Sequence, residues 1–178
     1  MARWIGGIAV LICIALFASF KLYERQFRLS HVPEGLNVST ILYANDESWG
    51  FGPGGNETGL IVYQLPDSTA QEIQKSGIEY FAKLPKKTRD SRDWRGRYET
   101  WRSTPILLEG SDSSTNRTSS YEIANYLNRY GFGISIDSQI EQEINNAISK
   151  PGSFAAYGRT GVLIVVPSIR RVVYAYRG

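Results

Sequence analysis

An unbroken apolar run stands near the start of the chain. Residues 4–20 read WIGGIAVLICIALFASF and contain no charged side chain. Seventeen helical residues rise about 25 Å, at the short end of what crosses the hydrocarbon core of a bilayer. Trp4 and Tyr23 fall where interfacial aromatic residues are common. The pattern predicts a single-pass transmembrane helix that contacts the lipid bilayer through residues 4–20.

A cleaved signal peptide is the competing interpretation of this run, because the basic residue Arg3 precedes it. A cleavage site needs small residues at both the −3 and −1 positions. A cut after Ala18 would put Leu16 at −3, and a cut after Ser19 would put Phe17 there. Neither site is suitable, so we interpret the run as an uncleaved signal-anchor.

The flanking charges and the cysteine content give opposite indications of the side on which the rest of the chain lies. Lys21, Arg25 and Arg28 follow the run, and the positive-inside rule would keep them in the cytoplasm. The only cysteine is Cys13, inside the run, and a cysteine-free aqueous domain suits an oxidising compartment. We expect a membrane protein whose domain is extracytoplasmic, either periplasmic or extracellular.

Proline and glycine mark a boundary after the predicted anchor. Residues 31–35 read HVPEG, and proline and glycine end regular structure. We therefore predict an anchor and juxtamembrane helix over 1–30, a linker over 31–35 and one globular domain over 36–178.

Segments with the hydrophobic spacing of a helix and segments with the alternation of a strand both occur along this domain. They predict an α+β fold with a mixed or antiparallel sheet of about five to six strands. Residues 162–166, VLIVV, are continuously apolar and predict a central strand buried on both faces. Helical spacing behind capping patterns predicts three helices, over 67–84, 119–131 and 138–150. Runs of β-branched and aromatic residues predict strands over 36–43, 60–65, 98–108, 153–157, 162–166 and 171–176.

The composition excludes several kinds of site. The chain has one histidine, His31, and one cysteine, so it cannot by itself supply a zinc site with two or more such ligands. A Ser-His-Asp or Cys-His site would have to use a histidine of the predicted linker. We expect no metal and no cofactor, which leaves carboxylate chemistry, Ser/Lys chemistry or no catalysis.

A glycine-rich segment over 44–59 is the first candidate for binding. Its glycines at 50, 52 and 55 have GxGxxG spacing, but a strand-like segment follows them, whereas a dinucleotide site needs a helix N-terminus. We interpret the segment as a long loop between two strands, with a peptide- or glycan-binding loop as the alternative. Its candidate residues are Glu47, Trp49, Phe51 and Glu57.

An arginine-rich segment over 83–102 is the second candidate. It has eight basic and three acidic residues, a local net charge of +5 in a chain whose net charge is +3. The interpretation as a solvated loop is preferred, and contact with anionic lipid headgroups is the alternative. Nucleic acid is not expected as a partner of an exported domain. The candidate residues are Arg92, Trp94, Arg95, Arg97 and Trp101.

Together these patterns favour a non-catalytic, membrane-tethered binding or assembly domain of unknown ligand, with a protein partner in the membrane or envelope, such as a subunit of an envelope complex. One alternative is a carboxylate-dependent hydrolase of an envelope polymer that uses two of the carboxylates Asp46, Glu47 and Glu57. The other is an anionic-lipid-binding domain that uses residues 83–102.

Overall fold

One antiparallel sheet of six strands lies at the centre of the fold, in the order β1-β2-β6-β5-β4-β3. The computed structural model describes residues 2–49, 56–85, 94–108, 121–128 and 133–177, without the side chains of residues 2–6, 9, 49 and 56. The predicted α+β class is confirmed, and the sheet is antiparallel rather than mixed. The strands are β1 (Thr40–Trp49), β2 (Asn56–Gln64), β3 (Trp101–Ser103), β4 (Phe154–Tyr157), β5 (Gly161–Val166) and β6 (Arg171–Arg177).

Five α-helices lie within the described ranges: α1 (Ala2–Leu29), α2 (Asp67–Ser76), α3 (Glu79–Ala82), α4 (Ile123–Leu127) and α5 (Ser138–Ser149). Helix α5 begins at Ser138 as predicted and ends one residue earlier than predicted, at Ser149. The Asp137 side chain caps its start by accepting hydrogen bonds from the amides of residues 139 and 140. The helix predicted over 67–84 is instead divided into α2 and α3 at Gly77. This residue has φ +60°, a conformation that ends a right-handed helix.

Several other predicted segments have different bounds. The strand predicted over 36–43 begins only at Thr40. The loop predicted over 44–59 is mostly strand, since β1 runs to Trp49 and β2 begins at Asn56. The strand predicted over 98–108 is reduced to β3, because Pro105 has no amide hydrogen to donate to a neighbouring strand. The helix predicted over 119–131 is described only from 121 to 128, where α4 occupies five residues.

The sheet is covered on both faces, so the core has two halves. Leu163 and Val165 of β5 point to one half, and Ile164 and Val166 to the other. All six residues of β5 are buried, which confirms the prediction of a central strand. The first half is completed by α2, α3 and the end of α1, and the second by α4 and α5.

Helix α1 has two unlike parts. Ten large apolar side chains between Ile8 and Tyr23 are each at least 54% exposed. Leu29, in contrast, is 3% exposed and belongs to the core. Within the part of the chain that the structure describes, no helix is both long enough and apolar enough to cross a membrane.

The segment predicted as a linker, 31–35, packs against the body of the fold. Val32 is 3% exposed and His31 is 8% exposed. Leu36, in the 3-10 turn Glu34–Leu36, is fully buried. The end of α1 and the next seven residues therefore belong to the first half of the core.

Candidate functional site

A row of stacked aromatic rings joins the end of α1 to the centre of the sheet. The rings of Tyr176 and Tyr174, both on β6, are stacked with centroids 5.2 Å apart. The His31 imidazole stacks on Tyr174 at 4.7 Å, and the Phe27 ring meets His31 edge-on at 5.1 Å. Phe27 and His31 are four residues apart and so share one side of the helical turn.

Three tyrosine hydroxyls hydrogen-bond to the backbone between residues 28 and 35. Tyr63 donates to the carbonyl oxygen of Arg28 at 2.7 Å. Tyr98 donates to that of His31 at 2.9 Å, and Tyr80 to that of Gly35 at 2.6 Å. The last carbonyls of a helix have no partner within the helix, so the bond from Tyr63 helps to satisfy the end of α1, and the other two hold the segment that follows it. Burial of the hydroxyls raises the pKa of Tyr63 and of Tyr98 well above the usual value.

The hairpin of β1 and β2 forms the wall opposite α1. Asp46 pairs with Gly59, and Ser48 pairs with Glu57. Residues directly opposite each other share a face of a sheet, and so do residues two apart on one strand. Asp46 therefore shares a face with Gly59, and Gly59 shares that face with Glu57. The Tyr176 ring lies directly over Gly59, where a Cβ atom would overlap it. Burial of the Tyr176 hydroxyl, and then the nearby carboxylates of Asp46 and Glu57, raise the pKa of Tyr176.

A chain of alternating charges crosses from α1 to the hairpin. Lys21 contacts Glu24 at 2.9 Å. Arg28 contacts Glu24 at 2.9 Å and Asp46 at 3.2 Å. The hydrogen bond from Lys21 and then the positive charge of Arg28 lower the pKa of Glu24. These four side chains have no net charge as a group.

The third wall comes from the segment before β3. The Arg95 guanidinium lies 4.5 Å from the centroid of the Phe27 ring and 4.9 Å from that of Trp94. Arg159 lies on the same Trp94 ring at 5.6 Å. Cations over aromatic faces are attracted by the ring quadrupole, so these contacts help to hold the segment against α1.

Between these three walls is a cleft with a volume of about 540 Å³, a size typical of small-molecule sites. We call it the α1 cleft. Phe20, the last apolar residue before Lys21, stands on its border. Among the described residues, no group of three or more His, Cys, Asp or Glu side chains is arranged to hold a metal ion.

The structure brings some of the predicted site residues together and separates others. Glu47, Glu57, Trp94 and Arg95 all border the α1 cleft. Arg97 borders a different cavity, and Trp101 stacks on Phe81 at 4.0 Å in the edge of the core. Phe51, Arg92 and the side chain of Trp49 lie outside the described residues.

The sequence analysis did not select His31 as a member of the cleft, because it assigned this residue to a linker. The spacing of four residues between Phe27 and His31 was the available signal. Asp46, rather than Glu47, shares a face with Glu57, because Glu47 pairs with Thr58 and alternates to the other face of the hairpin. Of the three carboxylates that the sequence offered, Asp46, Glu47 and Glu57, the register therefore puts Asp46 and Glu57 on one face.

No protein-family model matches this chain, and neither a curated protein nor a solved structure matches it.

Proposed function

We propose that the chain is a membrane-anchored binding domain, in which the apolar part of α1 inserts into a bilayer and holds the α1 cleft at its surface. The supporting observation is the exposure of ten large apolar side chains on α1. Leaving one such side chain in water costs roughly 1.5 to 3 kcal/mol. Together the ten would cost roughly 10 kcal/mol or more, which is comparable to the whole stability of a typical domain.

A bilayer suits this surface better than a partner helix does. Leu11, Leu16 and Phe17 are each exposed by at least 66%, and at 3.6 residues per turn they point about 100° to 140° apart. The apolar surface therefore surrounds the helix. One partner helix covers one side only, whereas lipid covers all sides.

A binding role is better supported than hydrolysis. In the α1 cleft, Asp46 is already paired with Arg28. Glu57 is exposed, so neither carboxylate has the buried, apolar surroundings that are typical of a general acid. A binding or assembly module needs only the shape and charge of the cleft.

The single native cysteine provides the test of the anchor. Cys13 is exposed on α1 in the isolated chain, so a maleimide that stays in water should label it readily unless lipid covers it. In intact membranes that contain the full chain, we expect little labelling of Cys13 until a denaturing detergent is added. The matched control is Gln74→Cys in a Cys13→Ala chain, since residue 74 is exposed on α2.

The control cysteine lies on the aqueous domain. When the maleimide can reach that side of the membrane, the control cysteine should react equally with and without detergent. Equal labelling of Cys13 and the control in intact membranes would overturn the proposed anchor. An impermeant maleimide added to intact cells also tests the proposed side of the membrane. We expect it to label the control cysteine, because we propose an extracytoplasmic domain.

A further inference from the structure

The α1 cleft adjoins the apolar part of α1 directly. Phe20 is 62% exposed and borders the cleft, and the first charged side chain after it is Lys21. If α1 inserts as proposed above, Lys21 marks the level of the headgroups, which occupy about 5 to 7 Å on each side of the hydrocarbon core. A lipid tail could then follow α1 past Phe20 while its headgroup enters the cleft.

The charges that border the cleft favour a cationic group. Three basic residues and four acidic ones line it. Lys21, Glu24, Arg28 and Asp46 are joined in the neutral chain described above. Arg95 occupies the space between Phe27 and Trp94. Among the described residues, Glu57 forms no salt bridge, so its carboxylate is available to a ligand.

The aromatic walls provide the second half of the recognition. Tyr174, Tyr176 and Trp94 all line the cleft. Tyr174 is 2% exposed, and Arg95 and Arg159 already lie on Trp94, so the partly exposed ring of Tyr176 is the aromatic surface that a ligand can reach. Aromatic faces bind ammonium groups, and quaternary ammonium ligands are recognised by such rings. The Glu57 carboxylate beside the ring of Tyr176 is therefore suited to an ammonium group, whereas an anionic headgroup would meet the negative charge of Glu57.

We propose that the α1 cleft binds the ammonium group of a zwitterionic phospholipid headgroup, ethanolamine or choline. The ammonium lies between Glu57 and the ring of Tyr176. The adjacent phosphate lies at the mouth of the cleft near Lys21, whose side chain is 56% exposed. The acyl chains leave past Phe20. That a lipid supplies the ammonium group rests on the proposed anchor. That the cleft suits an ammonium group does not depend on the anchor.

Two isosteric variants separate this proposal from a general charge effect. Glu57→Gln removes a charge that borders the cleft, and Glu72→Gln removes the same charge from α2, outside the residues that line the cleft. Both residues are exposed, so neither change is expected to unfold the chain. The full chain in detergent micelles is titrated calorimetrically with dihexanoylphosphatidylethanolamine, with dihexanoylphosphatidylglycerol and with free ethanolamine.

We expect the ethanolamine lipid to bind at least about tenfold more tightly than the glycerol lipid. Loss of a charge-assisted hydrogen bond should weaken that binding about tenfold or more in Glu57→Gln. Glu72→Gln should stay within about twofold of the unchanged chain. Equal binding of the two lipids, or equal effects of the two variants, would overturn the proposal.

Free ethanolamine reports on the source of the ammonium group. If it binds as tightly as the short-chain lipid, the ligand is a soluble amine and the lipid assignment is wrong. Because the titration is done in detergent, it does not require insertion of α1 in a bilayer. Failure of the Cys13 test and failure of the headgroup proposal are therefore distinguishable.

Discussion

At the scale of single residues, three hydroxyls decide how firmly α1 is held. Tyr63, Tyr80 and Tyr98 come from β2, from α3 and from the segment before β3, and each donates to a backbone carbonyl between residues 28 and 35. A typical buried hydrogen bond contributes about 1 kcal/mol. Three of them, from three different elements, restrain the helix end in three directions.

These hydroxyls should make the fold sensitive to alkali. In the folded chain, burial raises the pKa of Tyr63 and Tyr98 well above 10, and that of Tyr174 to about 12. Above pH 10 the unfolded chain loses these protons first. The free energy of unfolding is therefore undiminished below pH 10 and decreases above it, by about 1.4 kcal/mol per pH unit for each such tyrosine.

Urea unfolding of the full chain in detergent, at several values between pH 9 and pH 11.5, measures this slope. Tyr63→Phe should reduce the slope by the contribution of one group and lower the free energy of unfolding at pH 8 by about 1 kcal/mol. Tyr23→Phe is the control, since Tyr23 is 69% exposed and should leave the slope unchanged. A slope that is the same in both variants would contradict this account of Tyr63.

One irregularity in β1 explains why the sequence could not decide whether Asp46 or Glu47 shares a face with Glu57. Ile41 pairs with Tyr63, but Tyr43 pairs with Val62, so Leu42 is an extra residue in a β-bulge. Simple alternation from Ile41 would put Glu47 on the face of the cleft. The bulge shifts the alternation by one residue and puts Asp46 there instead. Nothing in the local sequence marks Leu42 as the extra residue, because bulges depend on the partner strand.

At the scale of elements, the hairpin of β1 and β2 depends on Gly59. A substitution of glycine by alanine within a strand ordinarily stabilises it by about 0.5 to 1 kcal/mol. At Gly59 the added Cβ overlaps the ring of Tyr176, so the ring must move and the packing around it changes. We expect Gly59→Ala to lower the free energy of unfolding by about 1 to 3 kcal/mol, the usual cost of overpacking.

The matched control for Gly59→Ala is Ser48→Ala in the same hairpin, because Ser48 is exposed. That change should stay within about 0.5 kcal/mol of the unchanged chain. Urea midpoints of both variants give the comparison. A neutral or stabilising Gly59→Ala would contradict the observed contact between Gly59 and the ring.

The elements that were predicted well are those whose signals are local. Helix α5 carries its own cap at Asp137 and ends before Pro151, and β5 is apolar along its whole length. The cleft residues were predicted less well because tertiary contacts bring them together. His31 meets Tyr174 across 143 positions of the sequence, and no local pattern encodes that contact.

At the scale of the whole molecule, the core extends into the predicted anchor region. Leu29 and Val32 are each 3% exposed. We therefore expect a chain that begins at Lys21 to fold, whereas a chain that begins at Leu36 should be strongly destabilised. Loss of the two side chains and of the carbonyls that bind Tyr63, Tyr80 and Tyr98 removes about 5 kcal/mol or more, out of a typical 5 to 15 kcal/mol.

Near-ultraviolet circular dichroism and urea unfolding of the two truncated chains test this expectation. The chain from Lys21 lacks most of the exposed apolar part of α1, so it also serves as the control for removal of that part alone. Similar stability of the two chains would mean that 31–35 behaves as the linker that the sequence predicts.

The position of β6 has a consequence for the order in which the protein can fold during synthesis. This strand lies between β2 and β5, yet it follows both in the chain. Until the ribosome releases Arg171–Arg177, the β1–β2 hairpin and the β4–β5 hairpin have no strand to join them. Before that point the nascent chain holds two separate hairpins whose edge strands are unpaired. A chaperone that binds unpaired strand edges could bind the chain at this stage of synthesis.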